Sequence, residues 1–84
     1  MHSTASAQLS EAETFALNVG LTAGSLKTVC VMLGKEILSR EEVRLYGIGY
    51  IESIRKIETG VSLAGNLKGL EVSKRQHPDC PLPD

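Results

Sequence analysis

Residues 12 to 33 constrain this chain more than any other stretch, because they are apolar on two sides at once. With each helical residue turned by roughly 100°, Ala12, Phe15, Ala16, Val19, Ala23, Leu26, Cys30 and Leu33 share one face. A second series, Leu17, Leu21, Gly24, Thr28 and Val31, repeats at helical spacing on the other side, with Met32 alongside. A helix apolar on two sides needs cover on two sides. One cover can come from the next helix of the same chain. The other has to come from a third element or a second subunit. Taken alone, Thr28-Val29-Cys30-Val31-Met32-Leu33 also has the composition of a short buried strand. The helix reading is adopted because the apolar period runs unbroken from Ala12 to Leu33.

The punctuation of the chain supports a helical body. All three prolines, Pro78, Pro81 and Pro83, lie in the last seven residues, so no such breaker interrupts the rest. Ser10-Glu11-Ala12-Glu13 and Ser39-Arg40-Glu41-Glu42 are capping boxes, each with serine at the N-cap and glutamate three residues on. They predict helices over about 11–33, ending near Gly34, and about 40–59. On the second, Val43, Tyr46, Gly47, Tyr50, Ile54 and Ile57 form one stripe. Its outer side carries Arg44, Glu52, Arg55 and Lys56, with Leu45 and Ile48 intruding. Gly60 either ends this helix or lies within a longer one. A weaker third helix is predicted over about 62–75 from Leu63, Leu67 and Leu70, with Ser62 as its cap. Gly65 and Gly69 count against it, each costing about 1 kcal/mol relative to alanine.

The predicted fold is therefore all-α: an antiparallel hairpin of two helices with a weaker third, assembling into a helical-bundle dimer or higher oligomer. The predicted organisation is a flexible N-terminus over 1–9, one helical domain over 10–75, and a flexible proline-rich tail over 76–84. The chain's 84 residues allow one small core, and self-association is a common way for such a domain to gain stability. Apolar residues make up 42% and the formal charge is −1, which excludes a disordered chain and a generic polyanion binder. Nucleic acid is accordingly disfavoured as a partner. Cys30 lies in an apolar run and Cys80 in the tail, with no metal or redox spacing between them. They read as free thiols in a reducing, cytoplasmic setting. Ala5-Ser6-Ala7 resembles a signal-cleavage site but lacks basic and apolar regions before it. No apolar run is expected to reach the length of a membrane span, and no membrane partner is expected.

Few residues carry chemistry. Gly20-Leu21-Thr22-Ala23-Gly24-Ser25-Leu26-Lys27-Thr28 departs from a phosphate-binding loop in spacing and lacks a preceding strand. Lys27 reads as a solvent-facing helix residue. His77, Asp79 and Cys80 supply three metal-capable donors without a fourth. The histidines lie only near the termini, and no acid–base or nucleophile set assembles, so the chain reads as non-catalytic, without metal or cofactor. Ala12, Ala16, Gly20 and Gly24 recur every four positions, a spacing echoed by Gly65 and Gly69, and imply close helix packing.

The functional expectation is a small regulator, adaptor or inhibitor that works through protein contacts. Leu45 and Ile48 are its candidate partner-binding residues, with Arg44 and Glu52 at the rim, and Leu17, Leu21, Gly24, Thr28 and Val31 form its candidate oligomer interface. The alternative is an oligomer that sequesters a flat, nucleotide-like ligand against Tyr46 and Tyr50, although both rings also suit the core.

Overall fold

The computed structural model describes residues 8 to 84. His2, the Ala5-Ser6-Ala7 stretch and most of the expected N-terminal segment lie outside the described residues. Three helices follow: α1, Glu11–Gly34; α2, Arg40–Ile57; and α3, Gly60–Gln76. Residues 28 to 33 are helical, and no strand occurs among the described residues.

Both capping boxes form. Ser10 Oγ accepts the Glu13 N–H at 3.1 Å, and Glu13 accepts the Ser10 N–H at 2.8 Å. Ser39 and Glu42 repeat the exchange at 3.1 and 2.8 Å. These bonds, to the serine backbone first and its hydroxyl second, hold the Glu13 and Glu42 carboxyls below their ordinary value. At the other end of α1 the chain turns through a Schellman motif. The Ile37 N–H donates to Met32 O at 2.9 Å, and the Glu36 N–H to Leu33 O at 3.0 Å. Glu36 takes the left-handed conformation there, with φ 63°, a place usually given to glycine. Gly60 does not continue α2. It opens α3 with φ 57°, after Glu58 and Thr59 have left the helical region.

The closest packing is between α1 and α3, and glycine makes it. A Cβ on Gly65 would lie 2.6 Å from Phe15 O and 2.9 Å from Asn18 Cβ. One on Gly69 would lie 2.7 Å from Val19 O and 2.9 Å from Thr22 Cβ. The helices therefore meet backbone to backbone along the Gly65–Gly69 turn, and they run in the same direction. The glycines that weakened α3 as an isolated helix are what seat it. Gly20 and Gly24, by contrast, have nothing within 4 Å of a built Cβ, so the expected close packing falls on the α3 glycines instead.

A polar network ties the three helices together at this crossing. Thr22 Oγ1 donates to Asn66 Oδ1, Asn66 Nδ2 donates to Asn18 Oδ1 at 3.1 Å, and the Tyr50 hydroxyl lies 3.3 Å from Thr22 Oγ1. Asn66 Nδ2 also donates to Ser62 O at 2.7 Å. Thr22 and Asn66 are buried, so these bonds offset the cost of removing their polar atoms from water.

α2 runs antiparallel to both neighbours and buries Val43, Gly47 and Ile51. The buried face is turned further toward Ile51 than the sequence stripe implied. Tyr46 and Ile57 are consequently exposed, and Ile48 is drawn partly inward. Leu26, Ile51 and Leu70 form the core cluster, with Tyr50, Leu67 and Leu82 packed on it.

Leu82 belongs to the tail, and the tail corrects two expectations. Cys30 and Cys80 are joined in a disulfide, so neither is a free thiol. The tail is not a loose end either. It folds back along the bundle, where Pro83 Cδ lies 2.9 Å from where a Gly47 Cβ would stand. Arg40 donates to Asp79 O at 3.0 Å, and Lys74 pairs with Asp84 at 3.1 Å. The physical reason is shared burial: α2 and α3 meet little directly, and Leu82 reaches the core that all three helices line.

Candidate functional site

With α3 and α2 both packed on one side of α1, the second apolar series has no cover. Leu17, Leu21 and Val31 are 49%, 55% and 39% exposed. Gly24 and Thr28 lie between them and are also exposed, so all five candidate interface residues share one open strip. The Thr28 hydroxyl is spent on its own helix, donating to Gly24 O at 2.9 Å. The strip thus presents carbon and little else. At its C-terminal end Val31, Thr28 and Met32 line a shallow depression of about 310 Å³, flanked by Lys27 and Lys35. Lys27 is exposed, as the sequence implied.

α1 also corrects the expectation about membrane length. Its 24 residues are long and apolar enough, by length and composition, to cross a membrane. The two apolar faces are the cause, since each lies on a different side and both count toward the same average. About 22% of its most apolar stretch is buried by the rest of the fold.

On α2 the candidate residues separate. Leu45 is 55% exposed, but Ile48 is half-buried and is not available beside it as an outer contact. Glu52 is exposed. Arg44 is engaged by its own helix, pairing with Glu41 at 2.7 Å, which lowers the Glu41 carboxyl and raises the guanidinium. Leu45 finds different neighbours. It joins Tyr46, Gly49, Tyr50, Ser53 and Ile54 around a groove of about 540 Å³. The two tyrosine rings stand 5.9 Å apart and tilted by 32°. Tyr46 is 42% exposed, which corrects its expected place in the core, while Tyr50 is half-buried and tethered to Thr22. Sequence reasoning missed this pairing because it assigned Leu45 and the tyrosines to opposite faces. Their spacing along the chain, at 45, 46, 49, 50 and 53, was the signal that could have joined them.

Two further grooves lie elsewhere on the surface. One, of about 480 Å³, has Leu67 and Leu70 in its lining and Arg55, Lys74 and Arg75 around them, with Glu71 and Asp84 as counter-charges. The other surrounds the disulfide and includes His77 and Asp79. Cys80 is committed to sulfur there and is no metal donor. Among the described residues no three His, Cys, Asp or Glu side chains gather as a metal site.

No family model, curated protein or solved structure matches this chain.

Proposed function

We propose that this chain is a non-catalytic binding module that works through helix faces. The observation that carries the reading is the uncovered strip of Leu17, Leu21 and Val31 on a fold that otherwise seats its helices closely. A contiguous exposed apolar strip of this kind is more typical of interaction surfaces than of free monomers. Self-association would use that strip. The groove edged by Leu45 and Tyr46 would serve a different protein, with Glu52 at its rim. Replacing Leu45 by glutamate, in water already, leaves the core untouched and removes an apolar anchor. The reading expects full helicity and loss of partner capture from the native host. Capture of the same partner by both Leu45→Glu and Leu17→Glu variants would overturn it.

A second reading is supported by the tyrosine pair: the groove of about 540 Å³ offers Tyr46 and Tyr50 to a flat, nucleotide-like ligand. A thermal shift across a nucleotide panel, lost in Tyr46→Ala, tests it. As to compartment, the Cys30–Cys80 bond favours an oxidising environment over the cytoplasmic expectation. Absence of a maleimide mass shift on protein taken from its host without reductant is the expected result.

A further inference from the structure

The open strip on α1 carries its own matching charges. Glu13 and Lys27 are both exposed on the strip's edge, and each lies seven residues from Gly20. Laid against a copy of itself in the opposite direction with Gly20 at the centre, α1 places each Glu13 beside Lys27 of the other copy. The same register sets Ala16 against Gly24. In the same direction the charges oppose: Glu13 would meet Glu13, and Lys27 would meet Lys27. Like charges at such closeness are unfavourable. A second copy therefore fits this face antiparallel, as an isologous two-fold contact.

From the apolar exposure of Leu17 and Val31 and this charge register, we infer that the chain forms an antiparallel α1–α1 dimer with its two-fold axis at Gly20. The inference rests on the binding reading above and names the partner of that face. Gly20 and Gly24 then acquire a role that the monomer does not give them. Nothing lies within 4 Å of a Cβ at either, so the backbone there is open to a neighbouring helix, as Phe15 and Val19 are to Gly65 and Gly69. Leu17 of each copy would lie against Ala23 and Gly24 of the other.

Light scattering on the disulfide-intact protein should give twice the 9.0 kDa chain mass at micromolar concentration. Gly20→Leu fills space that is empty in one subunit, so helicity and monomer folding should persist while the dimer weakens by at least about tenfold. Lys27→Glu should weaken it less, and more so at low salt. A spin label on Lys35→Cys reads direction. Antiparallel copies separate the labels by thirty residues of axial offset, or about 45 Å, whereas parallel copies bring them within roughly 20 Å. A label distance near 45 Å with loss of dimer in Gly20→Leu supports the inference. A monomer at high micromolar concentration, a short label distance, an undiminished Gly20→Leu dimer, or partition of the wild type into neutral phosphatidylcholine vesicles would each overturn it. A monomer that still loses partner capture on Leu45→Glu removes only the second copy and leaves the binding reading standing. Failure of both removes the two together.

Discussion

Replacing Gly65 by alanine adds one methyl group at the tightest of the glycine contacts between helices. Its Cβ would sit 2.6 Å from Phe15 O and 3.3 Å from Phe15 C, both backbone atoms that no rotamer change can move. The helices must separate instead, loosening Thr22, Asn66 and Asn18, whose hydrogen bonds span the same crossing. Overpacking of this kind costs about 1 to 3 kcal/mol, and contact with rigid backbone places Gly65 at the upper end. Alanine recovers about 1 kcal/mol of helix propensity, so a net loss of about 1 to 2 kcal/mol is expected. For a domain of this size each kcal/mol moves Tm by about 4 to 8 °C, which puts the expected drop at roughly 4 to 16 °C. Gly49→Ala supplies the comparison, because nothing lies within 4 Å of its Cβ and only the propensity gain remains. It should raise Tm by a few degrees, by about 0.5 to 1 kcal/mol. Thermal unfolding followed by circular dichroism reads both. If Gly65→Ala proved as stable as Gly49→Ala, the backbone-to-backbone seating of α3 on α1 would be refuted.

Three further outcomes follow from the same geometry. The disulfide closes a loop across a separation of 50 residues, so reducing it, or replacing both cysteines by alanine, should lower unfolding free energy in urea by about 2 to 4 kcal/mol. Glu36→Gly removes a left-handed residue with a side chain and should stabilise by about 1 kcal/mol, whereas Gly60→Ala should destabilise by a similar amount, both by the same urea assay. Glu13 and Glu42 have carboxyls lowered in the folded state, so their contribution is complete above the unfolded carboxylate range and is lost as pH falls below about 4.5. An acid titration of stability should therefore be shallower in Glu13→Gln and Glu42→Gln than in the wild type.

Much of the fold was legible because its signals are local. A capping box lies within four residues, and proline confined to the tail marks where the helices stop. The two apolar faces of α1 needed only helical periodicity to be seen. What periodicity could not assign was which face takes which neighbour. The α2 stripe read from Val43 to Ile57 was displaced from the true one because exposed Tyr46 and Ile57 were weighed as core and Ile51 was left out. The candidate site was legible in part for the same reason: Leu17, Leu21 and Val31 were found as a series, but the company Leu45 keeps was not.

By itself the sequence determined three helices, the starts of the first two, and an apolar excess on α1 beyond what one neighbour can cover, because backbone bonding and side-chain period are set within a few residues, whereas α3 begins at Gly60 and not at the expected Ser62 cap. Tertiary structure alone decided the rest. Gly65 and Gly69 look like defects until α1 is placed against them, and Cys30 and Cys80 stand 50 residues apart until the tail folds back. Each of these depends on distances between segments remote in the chain, and such distances exist only after packing has chosen which faces meet.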